Sequence, residues 1–110
     1  FLNAAPNEGF GMSWGFGGVS LTYPNSAQSG SAADPTHPIW NGPFLPCSTA
    51  FTGNSYAHAS IAGVGLNPLI LNDNGGDPNL AELPFGGGTV IFGVSTSGTG
   101  ASSLGCRSIA

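Results

Sequence analysis

Few residues of this chain have side chains that could do chemistry. Its 110 residues include two histidines, two cysteines, five carboxylates and one permanent cation, Arg107. Acid–base or nucleophilic catalysis needs several such groups held close together. Neither His37 nor His58 has an acidic residue or a cysteine at the spacing typical of zinc or copper ligands. We therefore expect no enzymatic activity, and a small secreted enzyme or toxin is the least favoured class.

Residues 11–15 match the G-x-S-x-G pattern of a hydrolase nucleophile elbow. That motif requires a strand, a sharp turn and a helix, followed by an acidic residue and a histidine. Here the match lies within an alternation of apolar and small residues that is typical of a strand. No helix signal follows it, and the chain is too short for that fold. We interpret it as a chance match in a sequence rich in Gly and Ser.

Side-chain oxygens are concentrated in segment 72–79. The candidate ligands there are Asn72, Asp73, Asn74, Asp77 and Asn79. Oxygen clusters on flexible loops are what Ca²⁺ prefers, but the twelfth position counted from Asp73 is Pro84 and not the Glu of an EF-hand. Asn, Asp and Gly also collect in ordinary turns. The segment is predicted to be a turn, with a weak calcium site as the alternative and no other cofactor.

The two cysteines, Cys47 and Cys106, are expected to form a disulfide. Such bonds persist in oxidising compartments, and a composition poor in charge but rich in Ser, Thr, Asn and Gly independently indicates an extracellular protein. A bridge closing about 60 residues would stabilise the fold by roughly 4 kcal/mol. The alternative is two buried free thiols in a cytosolic protein.

The charged fraction is 5% and there is no Lys, whereas soluble domains have about 25% charged residues. One cation cannot build a groove for nucleic acid or a patch for an anionic membrane. No apolar run is long enough to span a membrane, so membrane insertion is not expected. No signal peptide is recognisable. The chain begins at Phe1, and we interpret it as a processed mature protein or a fragment of a longer one.

Strand signals dominate the chain. Apolar residues alternate with other residues in three segments, 10–16, 47–51 and 56–66. A Gly pair at 17–18 shifts the alternation, which indicates a bulge or a sharp bend. Continuous apolar runs at 69–71 and 90–94 predict strands that are buried on both faces.

Helix and loop signals complete this prediction. One short helical turn is expected at 79–83, after an Asp-Pro pair. Segment 24–46 contains five Pro and is predicted to be one long irregular excursion. Seven Phe, two Trp and two Tyr are expected mostly in the core, because aromatic side chains bury a large area in a small domain. Trp40, in the Pro-rich segment, is expected to be exposed.

Together these patterns predict an all-β fold, a single-domain β-sandwich or Greek-key arrangement over 1–110. It has long Gly- and Pro-rich loops and one disulfide. Residues 1–9, with Phe1 and Leu2, are needed by no core pattern and are predicted to be an extended arm that pairs with another subunit.

The favoured function is a structural subunit of an extracellular or cell-surface assembly, such as a filament, pilus, sheath or coat. Weak self-repulsion and open β edges are the reasons for this preference, and self-association is expected. The alternative is a secreted carbohydrate- or ligand-binding β-module, with aromatic residues and amide-rich loops as its binding groups.

Overall fold

The computed structural model describes residues 2–3, 13–14, 17–23, 25–41 and 48–94, with backbone only at 2–3 and 53–56. The described part is mostly β-structure, which confirms the predicted all-β class. Its strands are β1 (Leu2–Asn3), β2 (Ser20–Thr22), β3 (Ala27–Ala32), β4 (Ala50–Ala57), β5 (Ser60–Ala62), β6 (Asn67–Asn72), β7 (Pro78–Phe85) and β8 (Gly88–Gly93). One 3-10 helix, Pro38–Trp40, lies between β3 and β4.

The strands form two sheets. Six strands are ordered β1-β8-β7-β6-β3-β4, and β2 pairs with β5 in a separate two-stranded sheet, called here the small sheet. All pairings between these strands are antiparallel except that of β1 with β8, where Leu2 lies opposite Phe92 in parallel. Within the described ranges, no helix has the length and apolar character needed to cross a membrane.

The central strand β7 contributes to two apolar clusters on opposite faces of the large sheet. Leu80 belongs to the first cluster, with Ile70 and Ile91 on the neighbouring strands and with the 3-10 helix. The next residue, Ala81, belongs to the second cluster, which includes Phe92 and residues of the small sheet. Successive strand residues point to opposite faces, so the 3-10 helix covers the first face and the small sheet covers the second.

The Gly pair at 17–18 forms a tight turn that leads into β2. Both glycines have φ of +67°, a region that other residues rarely adopt. The turn brings Ser13 opposite Ser20, and the Trp14 backbone N–H donates to the Val19 carbonyl at 3.0 Å. The predicted bend is therefore confirmed. A Cβ on Gly17 would lie 2.7 Å from Leu83 Cδ2, so a larger residue at that position would also displace the end of the Leu83 side chain.

Two sequence predictions about local structure are wrong. The segment 24–46 contains β3 and the 3-10 helix, and the expected helical turn at 79–83 is part of β7. Gln, Ser and Gly give β3 little intrinsic strand preference, but β4 and β6 pair with it on both sides. Pairing with neighbouring strands outweighs local propensity, as is usual for sheets.

The predicted exposure of Trp40 is also wrong, because only 2% of its surface is accessible. His37 caps the 3-10 helix through Nδ1, which accepts from the Ile39 backbone N–H at 3.1 Å. The short helix directs Ile39 and Trp40 into the first cluster, where the Trp40 ring lies 5.8 Å from the Phe51 ring centroid. Pro-rich sequence had indicated a loop, but it did not reveal that the loop folds back over the sheet.

The long alternation at 56–66 is divided in the structure. The strand β4 ends at Ala57, β5 covers only Ser60–Ala62, and Val64 lies in a turn with 93% of its surface exposed. The end of the alternation is therefore solvent-facing rather than core.

Two valines provide a matched test of the second cluster. Val94 is fully buried there and Val64 is almost fully exposed. Val94→Ala removes two buried methyl groups and leaves a cavity, so we expect the free energy of unfolding to fall by about 2 kcal/mol. Val64→Ala should change it by less than about 0.5 kcal/mol. Urea unfolding of both variants measures the difference, and equal effects would contradict the described burial.

Candidate functional site

The predicted turn at 72–79 is built around the side chain of Asn72. Its Oδ1 accepts hydrogen bonds from the backbone N–H groups of Asn74 and Asp77, both at 3.0 Å. Its Nδ2 donates to Asn25 Oδ1 at 3.2 Å. Asn72 is 6% exposed, so these bonds satisfy a buried amide while fixing the shape of the turn. The turn prediction is thus confirmed, and Gly75 and Gly76 complete it with positive φ.

The two carboxylates of this turn are held by hydrogen bonds from the segment that contains β3. Asp77 Oδ2 accepts from Asn25 Nδ2 at 2.7 Å. Asp73 Oδ1 accepts from the Gln28 backbone N–H at 3.1 Å, next to the register shift between Ala27 and Ser29. Desolvation acts to raise the pKa of Asp73, but hydrogen bonds from Gln28 and Ser29 outweigh it and lower that pKa below 3.8. Asp73 therefore supplies the acceptor that the irregular strand needs.

The remaining two candidate calcium ligands point elsewhere. Asn74 Nδ2 donates to the Ser26 carbonyl at 2.9 Å. Asn79 is 1% exposed, and its Nδ2 donates to the Ala59 carbonyl at 2.7 Å, beneath the small sheet. Among the described residues, no group of three or more His, Cys, Asp or Glu side chains is placed to hold a metal ion. Asp73 and Asp77 are the two charged oxygen ligands that this turn could offer to calcium.

Calcium binding stays a prediction, and melting temperature tests it. Ca²⁺ that binds only the folded protein should raise the melting temperature, and chelator should reverse that rise. Asp73→Asn combined with Asp77→Asn should abolish the response. Asp34→Asn, which removes one charge from an exposed loop carboxylate, is the control and should leave the response intact. An unchanged melting temperature of the natural protein on chelation would contradict the prediction.

A pair that sequence reasoning missed joins the 3-10 helix to the large sheet. His37 Nε2 lies 3.0 Å from Glu82 Oε2, and Asn67 Nδ2 lies 3.5 Å from Glu82 Oε1. Because His37 Nδ1 accepts from Ile39, its Nε2 carries the proton that is donated to Glu82. The sequence alone could not predict the contact between His37 and Glu82, because it depends on the loop that contains His37 crossing β7. Both His37 ring nitrogens are used within the chain, which suits a structural role.

The edges of the large sheet are uncharged. Among the strands that the structure describes, β4 is the last at one edge, and its sequence AFTGNSYA has no charged residue and no Pro. At the other edge, β1 pairs only with Phe92 and Gly93 of β8. Over the described residues, the outer side of β8 from Gly88 to Ile91 therefore has no pairing strand. Natural proteins commonly protect such edges with Lys or Pro, and neither is used on β4.

A shallow groove lies on the second face of the large sheet, beside the area that the small sheet covers. Its volume is about 290 Å³, and β3, β4 and β6 line it with Ser29, Gly30, Ser31, Ala50, Phe51, Thr52, Leu71, Asn72 and Asp73. The register places Ser31 between Leu71 and Ala50, and Ser29 opposite Thr52. No local sequence pattern indicated this groove, because it arises from small residues brought together on three strands.

Several predicted positions lie outside the described residues. These are both cysteines of the expected disulfide, Cys47 and Cys106, together with Arg107, Phe1 and three positions of the G-x-S-x-G match. Of the predicted arm, only Leu2 and Asn3 are described, and they form β1.

Comparisons of this chain with protein-family models, with curated proteins and with solved structures find no match. Its function therefore has to be inferred from its own residues.

Proposed function

We propose that this protein is a structural subunit of an extracellular or cell-surface assembly, such as a filament, pilus, sheath or coat. The observation that carries the proposal is the uncharged outer edge of β4, which ends a six-stranded sheet. An exposed edge presents backbone N–H and C=O groups to a strand from another molecule. Subunits that add a strand there gain main-chain hydrogen bonds without needing complementary charges.

The low charge of the whole chain supports the same proposal. A net charge of −4 arises from five carboxylates and one Arg, so identical copies repel one another weakly. Two of the carboxylates, Asp73 and Asp77, are already bound within the chain. We therefore expect contacts between copies to be apolar or main-chain hydrogen bonds, which should be insensitive to salt.

The N-terminal arm provides a segment for such a contact. Within one chain, Leu2 and Asn3 lie beside Phe92 and Gly93 of β8. The same pairing made with β8 of a neighbour would use identical hydrogen bonds, which is the principle of strand exchange between subunits. We propose that residues 1–9 make this exchanged contact in the assembly.

We also propose that the domain is a β-sandwich with a disulfide between Cys47 and Cys106. The second cluster lies between the small sheet and the large sheet, as a sandwich core does. The strands β6, β7 and β8 are consecutive antiparallel neighbours, as three strands of a Greek key are, whereas β1 runs parallel to β8. An oxidising location outside the cell would keep such a bridge intact.

Two variants test the assembly contacts. Removal of residues 1–7 should leave the subunit folded and impair polymerisation, because the exchanged strand is lost. Ala50→Lys places a charge on the open β4 edge and should also impair polymerisation. Val64→Lys adds the same charge in an exposed turn away from the sheet edges and is the control. Light scattering and electron microscopy report assembly, while circular dichroism reports folding.

Salt dependence distinguishes main-chain contacts from ion pairs. Assemblies should persist at about 1 M NaCl, where the Debye length is roughly 3 Å. Dissociation at that salt concentration would contradict the apolar and main-chain contacts. A chain that stays monomeric at all concentrations would contradict the assembly itself.

Intact mass tests the disulfide. The natural protein should take up no alkylating reagent before reduction and two equivalents after it, because both thiols are expected to be in the bridge. Alkylation of two thiols without reductant would contradict both the bridge and the extracellular location that it supports.

A further inference from the structure

We infer that the groove on β3, β4 and β6 is a binding site for a small, neutral polyhydroxy compound, with a single sugar unit as the representative ligand. The inference rests on the lining of the groove and is independent of the assembly proposed above. It also bases carbohydrate recognition on small and hydroxyl-bearing residues rather than mainly on aromatic ones, since Phe51 is the one aromatic residue of the lining.

The groove is hollow because small residues meet at its centre. Ser31 has Ala50 on one side and Leu71 on the other, and Gly30 contributes no side chain. Thr52, Leu71 and Asp73 add larger side chains, and the lining also includes Ser29, Phe51 and Asn72. Opposite side chains on paired strands lie about 5 Å apart, so three strands of mostly small residues leave a depression about one sugar ring wide.

The face is open at this place because the small sheet covers only its other half. The residues that contact the small sheet include Ala81, Leu83 and Phe92, all on β7 and β8. None of the lining residues of the groove belongs to that cluster. The half of the second face over β3 and β4 is consequently left to solvent in the described structure, with Ser31 and Thr52 exposed.

The lining chemistry matches hydroxyl groups. Ser31 and Thr52 each have a hydroxyl that donates and accepts hydrogen bonds, and Asp73 has a carboxylate that only accepts. Leu71 and Ala50 provide apolar area for the C–H groups of a sugar ring. A few convergent polar groups beside apolar side chains are typical of ligand sites.

The charge of the lining and the volume of the groove narrow the range of possible ligands further. Asp73 is the only ionisable residue of the lining, so an anion would be repelled. Its charge is already offset by hydrogen bonds from Gln28 and Ser29, which weakens the preference for a cation. The volume of about 290 Å³ is at the lower end of the range for ligand pockets. One neutral ring fits these limits better than a charged ligand or a long oligosaccharide.

Titration by two-dimensional NMR of the ¹⁵N-labelled full chain tests the inference. The probes are the methyl glycosides of glucose, galactose, mannose and N-acetylglucosamine, with glucuronate and glucosamine as charged comparisons. We expect at least one neutral glycoside to shift the NMR signals of the backbone amides of Ser31, Thr52, Leu71 and Asp73. The expected Kd is on the order of 1 mM, as is usual for so small a ligand.

Two threonines provide matched variants. Thr52→Val removes a hydroxyl from the groove at nearly constant volume, and we expect it to raise Kd about threefold to tenfold, the effect of one hydrogen bond. Thr89→Val makes the same change on β8, outside the groove, and should leave Kd unchanged. Ser31→Phe fills the groove and should abolish the shifts. Circular dichroism confirms that each variant remains folded.

Each other result overturns the inference. No shift with any neutral glycoside at tens of millimolar would show that the groove is not a sugar site. Shifts confined to residues outside the groove, or equal effects of Thr52→Val and Thr89→Val, would place binding elsewhere. Glucosamine or glucuronate binding with no neutral glycoside would show that charge, rather than hydroxyl matching, selects the ligand. Failure of the chain to polymerise would contradict the proposed assembly but not the sugar site, since the titration observes ligand binding to the labelled subunit.

Discussion

The near absence of charged side chains shapes how the described part of this molecule is held together. With one Arg and no Lys, the turn before β7 and its contacts rely mainly on amides and backbone groups, and its two carboxylates accept hydrogen bonds from uncharged donors. Asn72 organises the turn before β7, and Asn79 ties β7 to the small sheet through the Ala59 carbonyl. A buried amide that is paired through both its oxygen and its nitrogen, as that of Asn72 is, avoids the desolvation penalty of a buried charge. The fold should consequently be tolerant of salt.

The small number of charged side chains also leaves two kinds of surface available for contacts with other molecules. The sheet edges present backbone groups with no charged side chain on β4, and the groove presents hydroxyls with one carboxylate. A sheet edge binds another strand through backbone hydrogen bonds, whereas a sheet face binds a ligand through its side chains. The two proposed functions therefore use different parts of the same six-stranded sheet. An assembled subunit could still expose its groove, because strands added at an edge extend the sheet without covering its face.

The sequence predicted the features that depend on local composition. Rare helix formers and apolar alternation predicted the all-β class, and the Gly pair at 17–18 predicted a sharp bend. Features that depend on contacts between distant segments were missed. The strand β3 has little strand propensity of its own, Trp40 is buried only because His37 caps a helix over the sheet, and the Glu82 partner of His37 lies on β7. The groove depends on the register of three strands, which no local pattern specifies.

The parallel pairing of β1 with β8 has a kinetic consequence. It joins the second residue of the chain to Phe92 and Gly93, so it closes a loop of about 90 residues, at an entropic penalty of roughly 4 kcal/mol. A two-residue strand offers few hydrogen bonds to offset that penalty, and non-local pairings of this kind form late in folding. During synthesis β1 emerges before β8, because it precedes β8 in the chain. Throughout that interval Leu2 and Asn3 lack the β8 residues with which they pair in the folded chain. In the assembly that we propose, a neighbour that is already folded would present that strand in its place.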